Sequence, residues 1–194
     1  MFNDVESLLE YISLNAHTER RECEFKGGLA WEDLQLQITK GVLALSNLQG
    51  GGYVIIGVTK NRETNQHEPT GLQESDSRTY DHDQVSEFVN NFADPHVDIE
   101  LKHFFDGSKY FVVIQVFEFE EIPVICKRET TGIFKGRIYC RSHRKMESSP
   151  ELSVSELREI IELAVDKGIV KLRRRPGFHE VDESDPFNNE RNEF

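Results

Sequence analysis

Apolar residues along this chain change their period several times, and each change marks an element. Val5, Leu8, Leu9 and Ile12 recur at helical spacing and predict a helix over residues 4–13, with Asn3 as its cap. Over residues 21–26 the period drops to two. Cys23 and Phe25 alternate there with Glu22, Glu24 and Lys26, the pattern of a half-buried strand whose carboxylates face water; Gly27-Gly28 breaks it. Trp31, Leu34, Ile38, Val42 and Leu45 then form one helical stripe running to Asn47, followed by a glycine turn at residues 50–52. Residues 53–58 are an almost unbroken, β-branched apolar run, which reads as a central strand covered on both faces. Residues 59–70 are polar and without period, and read as a loop.

Val85, Phe88, Val89 and Phe92 place a helix over residues 81–93, stopped by Asp94-Pro95. Residues 97–104 and 109–118 read as strands joined by a hairpin at Asp106-Gly107. Two more strands, 123–126 and 137–141, are linked through Gly132. Ser153 and Glu156 fit a capping box opening a helix with Val154, Leu157, Ile160, Ile161 and Ala164 on its apolar side and Gly168 at its end. The sum is an α+β fold, a single domain with a mixed, largely antiparallel sheet flanked by helices, over residues 1–172. Residues 173–194 follow as a basic knot and an acidic tail, read as disordered or ordered by a partner.

Charge changes this picture locally. The 194 residues carry a formal charge of −12, of which residues 179–194 hold −5. Between positions 127 and 145 the bias reverses: Lys127, Arg128, Lys135, Arg137, Arg141, Arg144 and Lys145 face only Glu129. Screening confines each charge to about 10 Å, so a basic stripe on an acidic protein still holds a phosphate backbone, with weaker affinity and steeper salt dependence. Phe134 and Tyr139 interleave with those cations, the combination that looped or single-stranded nucleic acid requires; the competing reading has the aromatics in the core and the bases in water. Arg173, Arg174 and Arg175 read as a cationic segment pairing with the acidic tail.

Other chemistry is sparse. The run Gly50-Gly51-Gly52 precedes a strand, whereas a phosphate cradle needs a helix N-terminus directly after the glycines, so no ATP site is expected. Cys23, Cys126 and Cys140 are too few and too far apart for a disulfide framework or a zinc site, and fit a reducing cytoplasm. The histidines show no ligand spacing; only His143, inside the basic stripe, stands out. No apolar run is long enough to cross a membrane.

The motifs run in an order that points further. Glu19-Arg-Arg-Glu22-Cys-Glu24-Phe25-Lys26 precedes a helix, and the stretch Ala44-Leu-Ser-Asn47-Leu-Gln-Gly50-Gly-Gly-Tyr-Val-Ile-Ile-Gly57-Val58 follows it. Together with Asp94-Pro95, Ile122-Pro123-Val124 and Arg137-Ile-Tyr139-Cys-Arg141, they resemble the Schlafen AlbA-like (divergent AAA) family over nearly all of residues 6–165. That resemblance implies nucleic-acid binding. A nuclease branch of the family cuts transfer and ribosomal RNA with three carboxylates around a divalent metal, and two of these match Glu19 and Glu24, which would then hold Mg²⁺ or Mn²⁺. The third, an aspartate after the Gly-Val, is replaced here by Thr59 and Lys60, and a lysine there repels a cation; Glu63 is the nearest acid along the chain. Read without the resemblance, the strand's glutamates are a solvated face with ion pairs.

Three readings follow. The first is a nucleic-acid-binding domain, RNA or single-stranded DNA preferred, that holds phosphates with Lys26, Lys127, Arg137, Arg141, Arg144 and Lys145. The second is a catalytically silent interaction module that contacts protein partners through its acidic tail and first helix, as a homo-oligomer or as a decoy resembling nucleic acid through its charge of −12. The third is a divalent-metal-dependent endoribonuclease using Glu19 and Glu24.

Overall fold

The computed structural model describes residues 2–17, 20–142, 148–149 and 151–174. The elements follow in the order α1 (Val5–Leu14), β1 (Cys23–Lys26), α2 (Trp31–Leu45), β2 (Gly52–Ile56), β3 (Val58–Lys60), β4 (His67–Pro69) and α3 (Glu74–Ser77). After them come α4 (His82–Asn90), β5 (Ala93–Asp94), β6 (Ile99–Phe105), β7 (Tyr110–Val116), β8 (Ile125–Cys126), β9 (Cys140–Arg141), β10 (Ser148–Ser149) and α5 (Val154–Arg173). The main sheet has the order β1-β2-β7-β6. β1 and β2 are parallel and the remaining pairs antiparallel, which makes the sheet mixed and the fold α+β. A parallel pair cannot close with a tight turn, and α2 supplies the crossover.

The apolar run of β2 is covered on both sides. Val54 and Ile56 join the larger core with Trp31, Ile38 and Val42 of α2, while Ile55 joins a second core with Leu8 and Ile12 of α1. The same two layers explain β1, which is buried on three of its four residues although it is the sheet's edge. Cys23 and Phe25 face α1, and Glu24 faces α2. The expectation that Glu24 lies on a solvated face therefore fails: it is 6% exposed. Alternation reported that two faces differ, but α2 covers the polar one.

Glycines turn the chain into β2. Gly50 and Gly51 have φ of +81° and +68°, and a Cβ on Gly51 would lie 2.1 Å from the Val116 carbonyl oxygen. The Gly50 amide donates to the Glu118 carboxylate at 2.6 Å, so the run is a turn and its first amide is engaged within the protein. The Asp106-Gly107 hairpin is present, with Asp106 Oδ1 accepting from the amides of Ser108 and Lys109.

Several local expectations change. Asp4, not Asn3, caps α1 through a reciprocal capping box with Ser7. Residues 59–70 contain nearly all of a hairpin: β3 and β4 pair antiparallel around a turn in which Asn65 has φ +60°. β8 and β9 do not pair with each other but with β5 and β10. The helix that opens at Ser153 passes through Gly168 and ends at Arg173, so part of the basic knot is helical.

Candidate functional site

Glu24 organises one side of the molecule. Its Oε1 lies 2.5 Å from Lys26 Nζ, and its Oε2 accepts from Arg141 Nη1 at 3.0 Å and from the Ser148 hydroxyl at 2.8 Å. The Arg141 guanidinium, 1% exposed, also binds backbone: Nε donates to the Arg21 carbonyl at 3.1 Å and Nη2 to the Cys23 carbonyl at 2.7 Å. Arg21 returns the contact from its Nε to the Arg141 carbonyl at 2.9 Å. A buried carboxylate is tolerable only when paired and hydrogen-bonded, and this one is both.

The helix above leaves space for this carboxylate. A Cβ on Gly41 of α2 would sit 2.7 Å from Glu24 Oε2. Ordinarily a glycine inside a helix costs about 0.5–1 kcal/mol relative to alanine. Here we expect Gly41→Ala to destabilise the fold by about 1–3 kcal/mol, because the carboxylate is tied at both oxygens and cannot swing aside. Urea unfolding checks the sign; a stabilised Gly41→Ala protein would show that the carboxylate is free to move.

These partners bear on metal binding at Glu24. Both Glu24 oxygens already meet cationic groups of the protein itself, and a divalent ion would have to displace a guanidinium or an ammonium. Thr59 and Lys60 stand exposed on β3, and Glu63 lies in the turn beyond. Among the described residues no group of three His, Cys, Asp or Glu side chains could hold a metal ion. As placed here, the Glu24 carboxylate is engaged by cations of the protein and offers no open oxygen to a hard cation. Glu19, the other predicted ligand, lies outside the described residues, as do His143, Arg144, Lys145 and residues 175–194.

The predicted phosphate-binding set is divided by the fold. Arg141 is placed inside, bound to Glu24 rather than facing solvent, and Lys26 is turned against the same carboxylate with its side chain only 18% exposed. Lys127 and Arg137 are exposed, together with Arg128 and Lys135. These four occupy the two arms of one excursion between β8 and β9. The Cys126 amide donates to the Arg137 carbonyl at 2.8 Å, the Gly136 amide to the Cys126 carbonyl at 2.7 Å, and Thr130 bridges Ile133. That pairing holds the two arms together. The two aromatics separate: Tyr139 is fully buried and its hydroxyl accepts from the Phe134 amide at 2.9 Å, while the Phe134 ring is 48% exposed among the cations.

Asn47, at the end of α2, clamps this excursion at its base. Its Nδ2 donates to the carbonyls of Leu43, Val124 and Tyr139, and its Oδ1 accepts from the Val124 amide at 2.8 Å. Both arms are thereby fixed to the core at one buried side chain. We expect Asn47→Ala to cost about 1–3 kcal/mol, since the Val124 amide is left buried without an acceptor. Faster amide exchange at Val124, with exchange in β7 unchanged, would separate this from a general loosening. Cys126 and Cys140 are buried rather than bonded, and burial pushes both thiols up, Cys140 to about 11.

Comparison with known proteins places this arrangement. The family described as Schlafen, AlbA_2 matches residues 19–148. Among solved structures, the DIP2311 protein from Corynebacterium diphtheriae is 17% identical with a TM-score of 0.50, covering 80% of this chain. The chain spans 27% of that protein's length. The N-terminal domain of an ATP-dependent DNA helicase RecG-related protein from Nitrosomonas europaea is 21% identical with a TM-score of 0.48, over 74% of this chain and 94% of that one. No curated protein matches. Among the described residues no helix is long and apolar enough to cross a membrane. The family match takes in β1 with its locked carboxylate, the glycine turn and the whole basic excursion, and the chain belongs to the Schlafen AlbA_2 family.

Proposed function

We propose that this domain binds nucleic acid, with RNA or single-stranded DNA preferred, and that the excursion over residues 126–139 is the contact surface. The observation that carries this reading is the group of Lys127, Arg128, Lys135 and Arg137, exposed on one folded excursion with no ion pair to a described carboxylate. An exposed Phe134 ring stands among them. Cations follow the phosphates and the ring stacks on a base, which an unpaired strand presents and a duplex hides. Family membership adds to this reading. The overall charge of −12 opposes it at long range, so attraction is confined to the excursion and falls quickly with salt.

Fluorescence anisotropy of labelled single-stranded RNA, single-stranded DNA and duplex DNA, measured across a salt series, tests the proposal. Four phosphate contacts on a single strand give a log–log salt slope of about −2.8, or about 50-fold weaker binding at 200 mM than at 50 mM salt. Binding that ignores salt, or none at low salt, would remove the reading.

A further inference from the structure

We infer that Tyr139 is a positioning residue: its buried hydroxyl fixes the Phe134 ring for stacking on one unpaired base, so that the excursion reads a base as well as holding phosphates. This inference rests on the nucleic-acid reading above and gives a buried residue a part in it. The residue pattern made both aromatics candidates for stacking, yet Tyr139 is 0% exposed and belongs to the larger core with Cys126, Ile133 and Ile160. Its phenolic oxygen reaches the excursion, where it accepts from the Phe134 amide at 2.9 Å.

That bond falls between two stretches of the arm that the backbone already holds. On one side Thr130 and Ile133 exchange two backbone hydrogen bonds, each 3.0 Å, and the Ile133 side chain is fully buried. On the other the Gly136 amide donates to the Cys126 carbonyl at 2.7 Å, and the Arg137 carbonyl accepts from the Cys126 amide at 2.8 Å. Gly132 and Gly136, with φ of +74° and +76°, turn the chain at either end. Between them, among the described residues, the hydrogen-bond partner of Phe134 is Tyr139. Tyr139 is itself anchored, since its carbonyl accepts from Asn47 Nδ2 at 3.0 Å. A line of bonds thus runs from the end of α2 through Tyr139 to a ring that is 48% exposed and stacks on no described aromatic side chain.

The physical advantage is order before contact. A ring held in the free protein loses little conformational freedom on binding, whereas a loose one must be ordered as the ligand arrives. Stacking also depends on how two ring planes meet, so a shift of the backbone beneath Phe134 changes its quality. One exposed ring among four cations defines the ligand: a single base unstacked from its neighbours with phosphates beside it, as a loop, bulge or single strand presents.

NMR titration of a short oligouridine with the full chain should move base protons upfield, the signature of an aromatic ring stacked against them. Phe134→Ala should remove that shift and weaken binding about 10-fold. Tyr139→Phe keeps the ring in the core and deletes one oxygen. It should weaken binding about 3–10-fold and reduce the upfield shift, with an unchanged salt slope because the four cations remain. Added to Phe134→Ala, it should weaken binding no further. In the free wild-type protein the Phe134 amide should exchange more slowly than that of Lys135, a measurement that needs no variant. Wild-type affinity and shift in Tyr139→Phe, an equal loss on top of Phe134→Ala, or an unprotected Phe134 amide overturns this inference and leaves the nucleic-acid reading in place. A wild-type protein that binds no strand at low salt removes that reading and this inference with it.

Discussion

Truncating Arg141 to alanine is expected to lower the free energy of unfolding by about 3–5 kcal/mol, the cost of stranding a buried charge. Whole domains are stable by only about 5–15 kcal/mol, so this one change removes a large share of the total. The physical cause is Glu24. With the guanidinium gone, its Oε2 keeps the Ser148 hydroxyl and its Oε1 keeps Lys26, but the ion whose side chain is 1% exposed is lost. Two backbone carbonyls, Arg21 and Cys23, lose a donor at the same time. Adding Glu24→Gln to Arg141→Ala should recover part of the loss, because the neutral amide no longer needs a counter-charge. Urea denaturation of both single variants and the double variant closes the cycle. Arg137→Ala, a cation at an exposed position, should stay within about 0.5 kcal/mol. If Arg141→Ala matched Arg137→Ala, the buried pair would have no structural weight.

Reversing Lys127 and Arg137 together, as Lys127→Glu with Arg137→Glu, should weaken single-strand binding on the order of 100-fold and flatten the salt slope by at least about 1.4. Two phosphate contacts are removed and two repulsive charges stand beside the two that remain. Both side chains are exposed, so unfolding should change little, and this separates them from Arg141. A charge reversal at Arg141 would unfold the Glu24 lock and so report on the fold rather than on binding. Lys60→Glu on the β3–β4 hairpin serves as the control: it changes the net charge by the same sign at a different exposed position. Equal losses for Lys60→Glu and for the double reversal would mean that net charge acts without a localised surface.

Much of the scaffold was legible in the residue pattern. The continuous apolar run of β2 announced cover on two faces, the residue 50–52 glycines announced a turn of positive φ, and Asp106-Gly107 announced the hairpin. The β3–β4 pair was not legible. His67, Glu68 and Pro69 have no apolar alternation, and their strand geometry comes from pairing with Val58, Thr59 and Lys60. Gly168 misled in the other direction. Its cost inside a helix is about 1 kcal/mol, which the packing of Ile160, Leu163 and Ala164 and the contacts of Lys167 and Lys171 outweigh.

The candidate surface divided in the same way. Composition marked the basic stripe between positions 127 and 145, and four of its cations do share one exposed excursion. Arg141 belongs to the same run, yet tertiary structure takes it inside, because Glu24 is 117 positions away along the chain and touches it only after α2 has closed over β1. Asn47 appeared in the motif without a task; its role became visible once Val124 and Tyr139 were both found at its amide.

What the residues determined alone is local: periods, caps, turns and the signs of neighbouring charges, all set by interactions within a few positions. What folding decided is which polar side chains face water. Burial depends on what another element lays over a strand or helix, and so Glu24 and Arg141 became an internal pair while the apolar face of α5 was left outside.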